Sequence, residues 1–386
     1  MTARTPILAI GVLAAATAPA LARTFGAEPV AVSSGAHAPS GGPTISGDNR
    51  HPRYVAFHSY ASNLVRGDTN GALDVFVYRR HGGGITRASV SSQGRQANGA
   101  SASPALDGSV QRAPHCVAFQ SQATNLAPGD RDHRWDIYVR DLRTRKTRLV
   151  SRGVGPSAVD PAISGDCRQV AFTAAGRIWM GSGLKSRRAH VVARGTNPDL
   201  SLDGSALTWE RGHGVWLRRR GHTTRVAAIG GNPRVSDGRA SQNWGVVFDT
   251  PARLARGDSG SGSDVYLRTF RRTGGIRSTR LISGRGGRSL GGDSHNGGIT
   301  AYAPARGIIV FATTRGGQSA MWDANLHTGN IDDLAYARAD GSSRPGIFDA
   351  ASSARANYVV FSSTESFARD TNGSTQDVFL KFLSGK

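Results

Sequence analysis

Two short runs carry the residue types of acyl-transfer chemistry. Gly257-Asp258-Ser259-Gly260 sets a serine between glycines beside a carboxylate, and Ala113-Pro114-His115-Cys116 supplies a histidine far upstream. A serine nucleophile with a histidine base cleaves esters or amides, provided a carboxylate orients the histidine and donors await the oxyanion. Gly292-Asp293-Ser294-His295 offers a further serine. A second chemistry sits in four longer runs: ASNLVRGDTNGALD (61–74), ATNLAPGDRDHRWD (123–136), PARLARGDSGSGSD (251–264) and TESFARDTNGSTQD (364–377). Asp68, Asn70 and Asp74 have the oxygen ligands of a hard cation, as do Asp130, Asp132 and Asp136, and Asp370, Asn372 and Asp377. One reading is a weak Ca²⁺ site per loop, with an extracellular-type affinity of about 10⁻⁴ to 10⁻³ M. The other is that Asp and Asn close side-chain turns and require no cofactor; no loop ends in the bidentate glutamate of an EF-hand. Tyr60, His133 and Trp135 lie on or beside these loops. Aromatics among arginines can stack on sugars or bases, or simply buttress a long loop.

The elements that must position these residues emerge from a repeat. An apolar triplet recurs: Val55-Ala56-Phe57, Val117-Ala118-Phe119, Val170-Ala171-Phe172, Leu207-Thr208-Trp209, Val246-Val247-Phe248, Ile309-Val310-Phe311 and Val359-Val360-Phe361. Each is followed by a second β-rich run: DVFVY (74–78), DIYVR (136–140), RIWM (177–180), GVWLR (214–218), DVYLR (264–268), AMWD (320–323) and DVFLK (377–381). Before most triplets stands a strand ending in a turn signal, such as Pro43-Thr44-Ile45-Ser46-Gly47-Asp48 or Pro161-Ala162-Ile163-Ser164-Gly165-Asp166. A fourth strand follows the second run, as in ITRASVS (85–91), TRLVS (147–151) and STRLIS (278–283). Four short antiparallel strands per unit make a propeller blade, and the triplets are apolar on both faces because each blade is covered by two neighbours. The last unit ends at Lys386 without a fourth strand. Pro29-Val30-Ala31-Val32-Ser33-Ser34-Gly35 reads like Arg87-Ala88-Ser89-Val90-Ser91-Ser92-Gln93, so the N-terminal segment is expected to complete the last blade and remove an open edge.

The P-x-[ILV]-S-x-D-G element, followed by VAF and then D-[VI]-[FY]-[VL], resembles the exported bacterial TolB-type, WD40-like β-propeller repeats, from about Pro29 to Leu383. The resemblance implies an all-β, seven-bladed propeller of four-stranded antiparallel blades. It implies little about function, since propellers host many jobs. The expected blades run about 42–92, 100–152, 158–195, 196–229, 231–284, 297–337 and 345–383, with the last-blade outer strand at about 29–34. Units three, four and six lack the Asp before the second run. Repeat position also accounts for the serine motifs. Ser259 falls in register with Thr69 and Arg131, His115-Cys116 with Arg53-Tyr54, and Gly292-Asp293-Ser294-His295 with a linker, so no protease is expected. Trp179, Trp216 and Trp322 take the place of Phe76, Tyr138 and Tyr266 and are expected in blade cores.

Residues 1–22, with Arg4, the apolar stretch Ile7 to Ala16 and Ala20-Leu21-Ala22, have the layout of a secretory leader ahead of a single domain at 23–386. No other segment is long and apolar enough to span a bilayer. A secreted or periplasmic monomer is expected. Cys116 and Cys167 fall at similar heights on neighbouring units, so one disulfide is expected outside the cytoplasm; two buried thiols are the alternative. The formal charge of +21 is spread along the chain and is mostly arginine. It suits either a solvated surface or attraction to polyanions. Nucleic acid is not expected as a partner. The reading that fits best is a non-enzymatic binding module for an envelope or extracellular protein or glycan at the loop-rich face. The alternatives are a polysaccharide lyase or hydrolase with its site in the central funnel, or a basic protein that binds anionic envelope polymers.

Overall fold

The computed structural model describes residues 30–48, 52–109, 111–185, 187–236, 244–256, 258, 261–271, 273–285, 288–299, 307–315, 318–334, 347–353, 357–364 and 375–383. The leader at 1–22, Ser259, Asp370 and Asn372 lie outside them. Strand β1 (Val30–Ala31) precedes the first blade, β2 (Ser40–Ile45), β3 (Tyr54–Ser59), β4 (Asp74–Arg79) and β5 (Ile85–Arg87). Blade 2 holds β6 (Ser101–Leu106), β7 (Cys116–Ser121), β8 (Asp136–Asp141) and β9 (Lys146–Leu149). Blade 3 holds β10 (Ala158–Ile163), β11 (Val170–Ala174), β12 (Arg177–Gly181) and β13 (His190–Arg194). Blade 4 holds β14 (Thr196–Leu200), β15 (Ala206–Arg211), β16 (Gly214–Arg219) and β17 (His222–Ala227). Blade 5 holds β18 (Gly231–Val235), β19 (Trp244–Thr250), β20 (Asp264–Phe270) and β21 (Ile276–Leu281), and is followed by a small hairpin, β22 (Gly284–Arg285) with β23 (Arg288–Ser289). Blade 6 holds β24 (Asp293–Ile299), β25 (Ile308–Arg315), β26 (Gln318–Asn325) and β27 (Ile331–Asp333). Blade 7 holds β28 (Ile347–Ser352), β29 (Tyr358–Ser363) and β30 (Asp377–Phe382), with β1 as its outer strand.

Among the described residues these seven four-stranded sheets make a closed seven-bladed propeller. The first strands touch in sequence, β2 on β6, β6 on β10, β10 on β14, β14 on β18, β18 on β24 and β24 on β28, and β28 returns to β2. The second and third strands are buried on both faces: Val55, Ala56 and Phe57, and their counterparts Val117, Ala118 and Phe119, are at most 1% exposed. Cross-strand aromatic pairs lock these two strands together, Phe57 with Phe76 at 5.8 Å between ring centroids and Phe119 with Tyr138 at 5.9 Å. Trp179, Trp216 and Trp322 take the same register but are only half-buried. An indole outgrows the slot: Trp179 and Trp322 turn Nε1 to Ala174 O and Thr313 Oγ1, and Trp216 packs between Arg211 and Arg225. Among the described residues no helix is long and apolar enough to cross a membrane.

A polar clasp ties the third strand to the segment after the fourth. Ser89 Oγ donates to Asp74 and accepts from Val75 N–H; Ser151 does the same for Asp136 and Ile137, and Ser283 for Asp264 and Val265. Ring closure reuses this device. Val30 and Ala31 pair with Leu380 and Phe379, and Ser33 Oγ donates to Asp377 while accepting from Val378 N–H. Ser33 therefore stands where Ser89 stands, two residues from the Ser91 alignment that sequence likeness suggests. The slip escapes notice in sequence because a two-residue shift leaves every side chain on its own face.

Candidate functional site

Antiparallel connectivity puts the loops between second and third strands, with the linkers between blades, on one face (the loop face). The connections between first and second and between third and fourth strands share the other (the turn face). Asp258 lies on the loop face, where its carboxylate accepts the Tyr266 hydroxyl. His115 lies on the turn face with Nδ1 3.0 Å from Asp107 Oδ2. Asp258 of the serine run and His115 are thus on opposite faces. Ser294 is fully buried at the start of blade 6.

The loop acids are engaged by the protein itself. In blade 1, Arg87 NH1 lies 3.6 Å from Asp68 and 3.5 Å from Asp74, Asn70 Nδ2 donates to Asp74, and Gln96 Nε2 donates to Asp68. A protein cation already faces both carboxylates. Blade 2 has Leu149 where blade 1 has Arg87, and Tyr138 where blade 1 has Phe76. The Tyr138 hydroxyl donates to Asp130, as Tyr266 does to Asp258 in blade 5. Asp132 N–H and Arg134 N–H close side-chain turns on Asp130 and Asp132. The Asp130, Asp132 and Asp136 oxygens still lie within 4.8 Å of one another, so these three are the residues that could hold a hard cation. Burial raises the Asp136 carboxyl to about 6; Ser151 opposes the rise, and Asp130 and Asp132 add to it. Tyr60 is 57% exposed in blade 1, while exposed His133 and half-buried Trp135 sit in blade 2. Among the described residues no ring contact joins Tyr60 to Trp135. Cys116 and Cys167 form a disulfide between blades 2 and 3, with Cα atoms 6.0 Å apart.

The central channel has an organisation that motif reading misses. The first strand of each blade carries a bulge, in blades 1 to 5 at the residue before a proline, which cannot donate to the ladder. Gly42, Ser103, Asp160, Asn197 and Asn232 occupy this position with φ between 47° and 55°. In blade 1 a Cβ there would come within 2.4 Å of His58 Cε1, so any residue but glycine displaces that ring. Each bulge N–H of blades 3 to 5 is held by the preceding blade: Asp160 N–H by Gln120 Oε1 at 3.0 Å, Asn197 by Thr173 Oγ1 at 3.2 Å and Asn232 by Glu210 Oε1 at 2.7 Å. These acceptors all follow the aromatic of the triplet, so one repeat position stitches neighbouring blades. A cavity of about 420 Å³ remains, with Asp160, Asp199, Arg234 and Asp349 on its wall. Burial raises both the Asp160 and Asp199 carboxyls; Glu210 adds to the rise at Asp160, and Arg234 opposes both shifts.

The larger cavity, about 570 Å³, is a groove on the turn face between blades 3 and 4. Arg168, Lys185, Arg187 and Arg188 line it from blade 3, and Arg218, Arg219 and Arg220 from blade 4. No carboxylate is among the described residues that line it. Arg168 pairs with Asp166 at 3.6 Å, whereas among the described residues the other six cations have no carboxylate within ion-pair distance. Arg219 is only 5% exposed. Its guanidinium turns to blade 5, where it stacks 4.6 Å over Trp244 and donates NH2 to Arg271 O; among the described residues its buried NH1 has no hydrogen-bond partner. Burial, then the neighbouring Arg220 charge, pulls the Arg219 guanidinium below its usual range. The arrangement can receive an anion and lacks an obvious one of its own. The sequence signal is the consecutive Arg218-Arg219-Arg220 and the Lys185 to Arg188 run, which meet only across a blade seam.

No family model matches the chain, and no curated protein matches it by sequence. Solved structures match over nearly its whole length. The β-propeller domain of the Trilobed protease from Pyrococcus furiosus aligns over 91% of this chain and 96% of its own, with TM-score 0.52 and 9% identity. Oligogalacturonate lyase from Vibrio parahaemolyticus aligns over 92% of both chains, with TM-score 0.52 and 8% identity. TolB from Acinetobacter baumannii aligns over 65% of this chain and 61% of its own, with TM-score 0.42 and 14% identity. The matches to the Trilobed protease domain and the lyase show a shared propeller fold, and at identities this low activity is argued from the sites.

Proposed function

We propose that this propeller is a binding module for an oligoanion, carboxylated or phosphorylated, seated on the turn face between blades 3 and 4. The observation that carries the reading is the groove lining itself, seven cations of which six have no carboxylate within ion-pair distance among the described residues. Like charges gathered without a counter-charge repel one another, and a bound oligoanion relieves that repulsion. Arg187, Arg188 and Arg220 on the rim are exposed and suit electrostatic steering of a charged chain. This places the ligand on the face opposite Tyr60, His133 and Trp135, and the ligand class is that of the anionic envelope polymers. Titrating the full chain calorimetrically with inorganic triphosphate and, separately, with trigalacturonate tests the reading and sorts phosphate from carboxylate. The expected result is binding that weakens as salt rises from about 50 to about 200 mM. The Arg187→Glu/Arg188→Glu variant, altered only at exposed positions, is expected to bind about tenfold more weakly, a loss of about 1.4 kcal/mol. Salt-independent binding, or a variant that binds as the parent does, refutes it.

A second reading rests on the raised Asp160 and Asp199 carboxyls beside Arg234 in the channel, a combination that suits a proton-transferring site on a uronate chain. It predicts unsaturated product from polygalacturonate, lost in Asp199→Asn; no product from the parent chain removes it.

A further inference from the structure

Asp107 breaks the repeat at a position that can be checked blade by blade. Ser46, Ser164, Ser201, Ser236 and Ser353 hold the equivalent place, and each accepts an N–H from the start of its own second strand. Asp107 does the same work with one oxygen: Oδ1 accepts His115 N–H and Cys116 N–H, each at 2.8 Å. The exchange of serine for aspartate therefore adds an oxygen that the strand contacts do not use. That oxygen, Oδ2, faces His115 Nδ1 at 3.0 Å. Beside them lie Cys116, the first residue of β7, and Cys167 in the turn of blade 3. One ligand atom from each of Asp107, His115, Cys116 and Cys167 can be chosen so that all four lie within 4.8 Å of one another.

We propose that these four side chains form a Zn²⁺ site when the Cys116–Cys167 disulfide is reduced, so that the seam between blades 2 and 3 is closed by a disulfide under oxidising conditions and by a metal under reducing ones. The donor set is two thiolates, an imidazole and a carboxylate, which matches zinc in both softness and number. A dithiol reductant supplies the two electrons. Its thiols become a disulfide, the Cys116–Cys167 bond breaks, and each sulfur takes a proton. Zn²⁺ then displaces both protons to solvent, and neutral His115 binds through a ring nitrogen lone pair. Zn–S bonds of about 2.3 Å in a tetrahedron hold the sulfurs about 3.8 Å apart. The 6.0 Å between the Cα atoms lies inside the span a disulfide allows, and side-chain rotation can part the sulfurs. Asp107 and both cysteines are buried, whereas the His115 side chain is 25% exposed and gives the metal its entry.

The proposal is independent of the turn-face groove and is tested on the full chain with Co²⁺, whose spectrum reports tetrahedral thiolate ligation. The chain reduced by a dithiol, then freed of it, is expected to take up one equivalent of Co²⁺ with a thiolate charge-transfer band that Zn²⁺ abolishes. The oxidised chain is expected to show no such band. Asp107→Ser restores the residue the other blades use, so it keeps the strand contacts while losing the ligand; it and His115→Ala are each expected to weaken Co²⁺ binding at least about tenfold. Cys116→Ser/Cys167→Ser is expected to remove the band. The proposal is overturned if the reduced chain shows no thiolate band, if Asp107→Ser and His115→Ala bind as the parent does, or if reduction alone abolishes the circular-dichroism signature of the sheets.

Discussion

Blade 1 and blade 2 hold equivalent loop carboxylates by different chemistry, and the difference can be exchanged. Asp68 is held by Arg87 beneath an aromatic without a hydroxyl, Phe76. Asp130 is held by the Tyr138 hydroxyl, and Leu149 stands where the arginine was. Arg87→Leu leaves two buried carboxylates, Asp68 and Asp74, without their cation. Breaking a buried ion pair costs about 3–5 kcal/mol. The low end applies here, because the ion-pair distances are 3.6 and 3.5 Å and because Gln96, Asn70 and Ser89 still donate to the two carboxylates. A loss of about 3 kcal/mol is expected. Adding Phe76→Tyr to that variant offers Asp68 the hydroxyl that Asp130 already receives. A hydrogen bond to a charged acceptor is worth about 1.5–3 kcal/mol, so at least half the loss should return. In the parent background the same Phe76→Tyr change crowds Arg87 and should be neutral or destabilising, giving a double-mutant coupling with a fixed sign. Urea unfolding followed by far-ultraviolet circular dichroism, with all four proteins compared at one pH and salt, reads the cycle. If Phe76→Tyr/Arg87→Leu is no more stable than Arg87→Leu, the two anchors are not equivalent and the account of the loop acids fails.

Ring closure and the buried clasps make two further claims. Ser33→Ala removes a donor to Asp377 and an acceptor for Val378 N–H, and should cost about 2–4 kcal/mol by urea unfolding with faster hydrogen exchange at Val378; exchange at the parent rate would show that the clasp does not hold the seam. Asp136 titrates at about 6 in the folded chain against an ordinary 3.8, so the native state binds its proton more tightly than the unfolded chain does. That contribution is complete below 3.8 and is lost as pH rises through about 6. Asp136→Asn cannot titrate, yet keeps an acceptor for Ser151, so its stability relative to the parent should improve with pH across that window. A pH-independent difference would contradict the assignment.

The propeller was legible because a strand covered on both faces must be apolar at consecutive positions, and seven such triplets stand in one chain. Ring closure was legible in kind but not in register, since the pattern that identifies a strand has a period of two and tolerates a slip of two. The endings Ala88-Ser89, Val150-Ser151, Ile282-Ser283 and Val32-Ser33 carried the correct register, but only the clasp shows why the serine matters. The Asp ahead of the third strand was visible, and its calcium-like spacing drew attention from that serine. In blades 3 and 4, where Arg177 and Gly214 replace the Asp, Ala193 and Ala227 replace the Ser. The turn-face groove escaped because its cations belong to two units and converge only across a seam.

Loop length and clasp go together for a physical reason, and the same reason separates the two faces in function. A longer loop costs more conformational entropy to close, and an anchor at its base and another in its middle offset that cost. Blades 1, 2 and 5 have both anchors, the Asp–Ser clasp at the base and Asp68, Asp130 or Asp258 held partway along. Blade 3 needs neither, because Ala175 and Gly176, with φ of 49° and 66°, turn the chain in two residues. In blades 1, 2 and 5 the loop-face acids therefore serve loop closure. On the turn face the repeat is broken without any such structural return. An aspartate replaces a serine whose task one of its oxygens already performs, and cations from blades 3 and 4 gather along one groove. Departures from the repeat that loop closure does not explain are where binding has to be sought, and in this chain they lie along the two seams that flank blade 3.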